Sequence, residues 1–158
     1  MLLLPRRNFL LALLPVAAAM AVATSADPTF ARRRPKVVWT EVQVPEGDHQ
    51  TNRERQLRNV LKREGHRVQW GDPPDGLIEA SVKVTEFVID RRPDVVRVTC
   101  SAVGRLGKGP AVKTHFSFGG HPKKEAALES QMLTLVGRGV VARLASLSRE
   151  RHKVSKID

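Results

Sequence analysis

With 158 residues, the chain has room for one domain and not for two. Its 41% hydrophobic and 27% charged residues exclude a disordered chain, and the lone Cys100 excludes an intramolecular disulfide, so a core built mainly of Val and Leu has to supply the stability. The formal charge of +11, from 27 Lys and Arg against 16 Asp and Glu, is spread along the whole chain and favours anionic partners; with aromatics at 4% and no recognition signature, a specific nucleic-acid binder is only an alternative.

The amino terminus comes first. Arg6 and Arg7 precede an uncharged, largely apolar run from Asn8 to Ala26, and small residues close it at Ala21-Val22-Ala23 and at Ala26. This is the three-part form of a secretory signal, with cleavage expected after Ala23 or Ala26 and Ala31 as a further alternative. The apolar middle, Phe9 to Ala23, is short for a membrane span and carries Pro15. Taking away residues 1–26 removes two arginines and no acid, leaving +9, so the basic character belongs to the domain itself. No Cys follows the apolar run to accept a lipid. The expected destination is periplasmic or secreted, with membrane contact through the signal alone.

Arg6-Arg7-Asn8-Phe9-Leu10 resembles the twin-arginine export signal of bacteria, in which two arginines, any residue and Phe-Leu precede a weakly apolar segment. The resemblance implies export of an already folded domain, and Arg32-Arg33-Arg34, beyond the cleavage sites, agrees with it. The general secretory route is the alternative, with the arginine pair serving only as the basic start.

Residues 27–35 read as a flexible basic lead-in. Lys36 to Val44 alternates Val38, Thr40, Val42 and Val44 and predicts a strand. Thr51-Asn52-Arg53-Glu54 has the form of a capping box, Leu57, Val60 and Leu61 supply an apolar stripe, and Gly65 offers a left-handed stop, which together predict a helix. Arg53, Arg55, Arg58, Lys62 and Arg63 then form a candidate basic interaction face. A short strand is expected at Val68 to Trp70. Leu77 to Asp90, Asp94 to Arg105 and Ala111 to Phe118 predict an antiparallel meander, with a change of phase near Glu86-Phe87. Gly119-Gly120 is expected to break the sheet, and Pro122 to open a closing helix reaching about Leu147, with the stripe Leu128, Met132, Leu135, Val136, Gly139, Val140, Leu144 and Leu147.

The expected fold is a two-layer α+β sandwich over residues 36–148, in the order β-α-β-β-β-β-α with one strand short: an antiparallel sheet carrying two helices on one face, and a charged tail at 149–158. That order is similar to the amino-terminal domain of the TolB type and to the core of curli-pore lipoproteins, and the similarity implies an envelope binding or assembly role.

Candidate chemistry is sparse. His115 and His121 would form a metal pair if the strand turned back at Gly119-Gly120, but no Cys or acid is spaced to complete a zinc site, so no metal or cofactor is expected. Gly104-Arg105-Leu106-Gly107-Lys108-Gly109 fails as a phosphate-binding loop because Gly109 stands where Ser or Thr is needed and a strand follows. No nucleophile elbow or Cys/His pairing is present. The leading expectation is a non-catalytic exported module of the bacterial envelope that meets an envelope protein or an anionic polymer. A small periplasmic metal-binding protein or enzyme using His115 and His121 is the alternative.

Overall fold

The structure, a computed structural model, describes residues 34–73 and 75–154. The signal residues Arg6, Arg7, Phe9 and Leu10 and the cleavage positions Ala23, Ala26 and Ala31 lie outside the described residues. The architecture is the expected α+β one: β1 (Lys36–Gln43), α1 (Gln50–Arg67), β2 (Leu77–Arg91), β3 (Val96–Leu106), β4 (Ala111–Gly120), a 3-10 turn at Pro122–Lys124, and α2 (Glu125–Val154). The four strands form one sheet in chain order.

β2, β3 and β4 pair antiparallel as the expected meander, while β1 runs parallel to β2. The sheet is therefore mixed, not wholly antiparallel. The reason is the connection: a tight turn returns the next strand antiparallel, whereas the long segment that contains α1 crosses over and brings β2 back in the direction of β1. The short strand expected at Val68 to Trp70 does not form. Trp70 instead donates its indole N–H to the Gly65 carbonyl (2.8 Å) and meets Trp39 edge-on at 6.4 Å between ring centroids.

Two bulges set which side chains reach the core. In β1 the register slips at Thr40, so Val37 and Trp39 face the core before the slip and Val42 after it, opposite Ile78, Ala80 and Val82 of β2. This corrects the simple alternation through Val38 and Thr40. In β2 the slip falls at Thr85, where the sequence signals a change of phase, and moves the core positions from Val84 to Phe87 and Ile89. Each bulged threonine donates its hydroxyl to a carbonyl of the next strand, Thr40 to Ala80 (3.2 Å) and Thr85 to Ser101 (3.3 Å), so the inserted residue gives the ladder a side-chain hydrogen bond.

Both helices cover the face that carries Ala80, Val82, Val98, Cys100 and Ala102. α1 starts at Gln50 behind a left-handed His49 (φ 65°) that makes no side-chain cap, so the capping box does not form; Glu54 pairs with Arg58 instead (2.8 Å). Gly65 is not a stop. It is buried inside α1, where a Cβ would lie 3.6 Å from the Trp39 ring.

Close approach explains the other interior glycines. A Cβ on Gly104 would come 2.6 Å from Val140 Cγ1, which brings α2 down onto β3, and a Cβ on Gly137 would come 2.6 Å from Val60 Cγ1, where the two helices touch. Gly119-Gly120 does not break β4, which runs to Gly120 and lets Leu128 settle on it. In α2, Leu135 is 38% exposed and Leu133 and Val141 take core positions, so the buried stripe is shifted from the expected one. α2 also continues past Leu147, to Val154. Ser148 is buried there and accepts from the Gly71 backbone N–H (3.2 Å).

Candidate functional site

Burial decides the role of Cys100. It is fully buried on β3, and desolvation, aided by the nearby Glu86 charge, pushes its thiol up to about 12. A thiol held protonated in this way packs as a small apolar side chain.

The sheet face away from the helices carries one polar chain. The Thr85 bulge sets Glu86 opposite Ser101, and Ser101 is itself opposite His115 on β4. Ser101 Oγ donates to Glu86 Oε2 (2.9 Å) and lies 2.9 Å from His115 Nδ1. A hydroxyl has one proton, so Nδ1–H of His115 donates to the serine. The serine proton thus faces the Glu86 carboxylate and not the imidazole, which is not the Ser–His pairing of a catalytic triad.

The expected meeting of His115 and His121 does not occur, because β4 stays extended through Gly120. At about 3.3 Å per residue the backbone from His115 to His121 spans about 20 Å. His121 instead accepts from the Lys123 backbone N–H at the turn before α2 (3.2 Å). Among the described residues no group of three or more His, Cys, Asp or Glu comes together to hold a metal ion.

The five cations of the expected basic face divide. Arg53 turns toward α2, donates twice to Glu129 Oε2 (3.0 and 2.9 Å) and lies 4.5 Å above the Phe87 ring, so its charge is committed inside the fold. Arg63 joins Arg67 and Arg138 around Glu64, whose side chain is 6% exposed, at 3.1, 3.2 and 3.5 Å. These three arginines surround a nearly buried carboxylate where α1 meets α2. Arg55, Arg58 and Lys62, spaced by three and four residues, make one exposed stripe.

That stripe runs into a groove of about 580 Å³ between α1 and the start of β1. Val37 and Trp39 give its lining an apolar part, and Arg58 and Lys62 of α1 and Arg34 and Lys36 at the start of β1 give it cations, with no carboxylate in the lining. A second hollow of about 320 Å³ adjoins it through Arg34, Pro35, Gly65 and His66 and extends to Trp70. Arg34 and Lys36 were missed by sequence reasoning, which placed Arg34 in a lead-in and Lys36 at a strand end. The parallel pairing of β1 is what sets them beside α1. A unit charge 4 Å from an anion is worth about 1 kcal/mol in bulk water and about 4 kcal/mol in the effective dielectric of a protein surface; the groove's lining carries four cations and no acid, with Glu54 paired to Arg58 and Asp72 in the adjoining hollow.

No family model matches the chain, and no curated protein matches it. Among solved structures, a Caulobacter crescentus CB15 protein described as a lipoprotein is 12% identical over 71% of this chain and 90% of its own, with a TM-score of 0.43. A minor lipoprotein from Acinetobacter baumannii is 14% identical over 73% and 95%, with a TM-score of 0.33. The rare lipoprotein B from Shewanella oneidensis is 9% identical over 68% and 95%, with a TM-score of 0.36. At these identities and TM-scores the likeness carries no functional argument, and the reading of the site rests on its residues.

Proposed function

We propose that the chain is an exported, non-catalytic binding module of the bacterial cell envelope that holds an anionic partner on the surface formed by α1 and the start of β1. The observation that carries this reading is the exposed row Arg55, Arg58 and Lys62 on α1, of which Arg58 and Lys62 line one groove with Arg34 and Lys36, with Glu54 paired to Arg58. Export is supported by the order of Arg6-Arg7, the apolar run and the small residues at Ala23 and Ala26. A non-catalytic role is supported by the protonated, buried Cys100 and by the direction of the Glu86–Ser101–His115 chain.

The test is equilibrium binding of the purified protein to dextran sulfate and to uncharged dextran over a salt series. Retention on the sulfated polymer with an affinity that falls steeply and log-linearly with salt, and none on the neutral polymer, is the expected result. Salt-insensitive binding, or no binding below 50 mM salt, as a rough lower limit, overturns the reading. The same series on duplex DNA separates a nucleic-acid binder, which would prefer DNA over dextran sulfate at equal charge.

A further inference from the structure

The groove holds more than a charge pattern, and its chemistry names a narrower class of occupant. Its lining combines Trp39 and Val37 with the cations Arg34, Lys36, Arg58 and Lys62. A site for a hydrated polyanion alone has no use for a tryptophan, and a site for a neutral apolar molecule has no use for four cations. Pockets of 300–1,000 Å³ commonly take small organic ligands, and about 580 Å³ is within that range. Resting on the binding-module reading above, the geometry points to one occupant: a lipid-like amphiphile whose phosphate or other anionic head lies between Lys36 and Lys62 and whose alkyl chain lies on Trp39.

Trp39 packs beside α1 at Gly65, where an added Cβ would meet the ring at an ordinary contact distance of 3.6 Å. Trp70 meets Trp39 edge-on from the adjoining hollow and fixes the ring's tilt. Arg58 is drawn partly toward Glu54 at 2.8 Å, whereas no carboxylate among the described residues pairs with Arg34, Lys36 or Lys62. Those three cations are desolvated by an arriving head without first breaking an ion pair.

The two tryptophans are the only ones in the chain, and Trp39 lines the groove itself, so intrinsic emission reads occupancy. The experiment titrates dodecyl phosphate, below its micelle concentration, into the Trp70→Phe protein, in which Trp39 is the sole reporter. Calorimetry on the unaltered protein serves as a second measurement should that variant fold poorly. Saturable binding with a blue shift of Trp39 is expected, weakened at least tenfold by Lys36→Glu or Lys62→Glu. The uncharged dodecyl maltoside should bind at least tenfold more weakly than dodecyl phosphate, and inorganic phosphate alone should leave the emission unmoved. Equal binding of the uncharged amphiphile, equal signal from inorganic phosphate, or indifference to both charge reversals overturns the assignment. If dodecyl phosphate fails while salt-sensitive binding to dextran sulfate persists, the amphiphile site is wrong and the binding-module reading stands; if both fail, both fall.

Discussion

Replacing Gly137 by alanine sets two effects of similar size against each other. In a helix interior alanine is favoured over glycine by about 1 kcal/mol, so an exposed Gly→Ala change would stabilise α2. Here the new Cβ would sit 2.6 Å from Val60 Cγ1, closer than real contacts allow, and 3.6 Å from Leu57 Cδ1. A valine in a helix has essentially one rotamer and does not swing aside, so the helices have to separate; overpacking of this kind costs about 1–3 kcal/mol. The expected net loss is about 1 kcal/mol, or about 4 °C in Tm for a domain of this size. The decisive step is to repeat the change in a Val60→Ala background. That background is itself less stable by about 1.5–3 kcal/mol, but it removes the obstructing methyl, so Gly137→Ala should there become stabilising by about 1 kcal/mol. Urea unfolding of the four proteins, followed by tryptophan emission, gives the coupling directly, with an expected value of about 2 kcal/mol. A Gly137→Ala protein that is more stable than the parent, or a coupling near zero, would refute the claim that Gly137 is there for helix contact.

Three further outcomes follow from the site. Because the folded state keeps the Cys100 thiol protonated up to about 12, the unfolded chain ionises first; its contribution to stability is complete below the ordinary thiol value of about 8.5 and is lost as the pH climbs toward 12. The alkaline fall in urea midpoint should therefore be shallower in Cys100→Ala than in the parent, and parallel curves would contradict the burial argument. Arg53→Ala should cost about 1–2 kcal/mol, through its bonds to Glu129 and its contact with Phe87, yet leave binding to dextran sulfate within twofold; a large loss of binding would show that Arg53 belongs to the surface after all. Thr114 is buried with its hydroxyl unbonded, so Thr114→Val should stabilise the fold by about 1 kcal/mol in thermal unfolding, and destabilisation would mean that the hydroxyl has a partner.

The β2–β4 meander was legible because each strand keeps its own alternation, as Val96, Val98, Cys100 and Ala102 do on β3, and because turn residues separate the strands. The Thr85 slip was legible as a change of phase. The Thr40 slip was not, because Val38, Thr40, Val42 and Val44 make an unbroken pattern by themselves, and only pairing with Ile78, Ala80 and Val82 shows that Val37 and Trp39 carry the first half. Gly65 and Gly119-Gly120 carry a stop or turn signal in the sequence, yet Gly65 lies inside α1 and Gly120 stays in β4, where a Cβ would come 2.9 Å from Leu128. Local sequence does not distinguish a glycine needed for backbone freedom from one needed for space.

The candidate site was half legible for the same reason. The i, i+3, i+7 spacing of Arg55, Arg58 and Lys62 predicts an exposed stripe and the structure has one. Arg53 and Arg63 share the helix but pair with Glu129, an acid of α2 that only the fold brings into reach, and with the neighbouring Glu64, which the fold buries against α2. Arg34 and Lys36 complete the groove through the parallel pairing of β1, a long-range event with no local signal.

On the proposed reading, anion binding belongs to the α1 and β1 surface and not to net charge. The most direct test compares two triple charge reversals with equal change in net charge: Arg55→Glu, Arg58→Glu and Lys62→Glu on α1, and Arg97→Glu, Arg105→Glu and Lys113→Glu on exposed positions of the open sheet face. Binding to dextran sulfate at fixed salt should fall at least tenfold in the first protein and within threefold of the parent in the second. Equal losses in both would contradict the claim and leave only generic attraction.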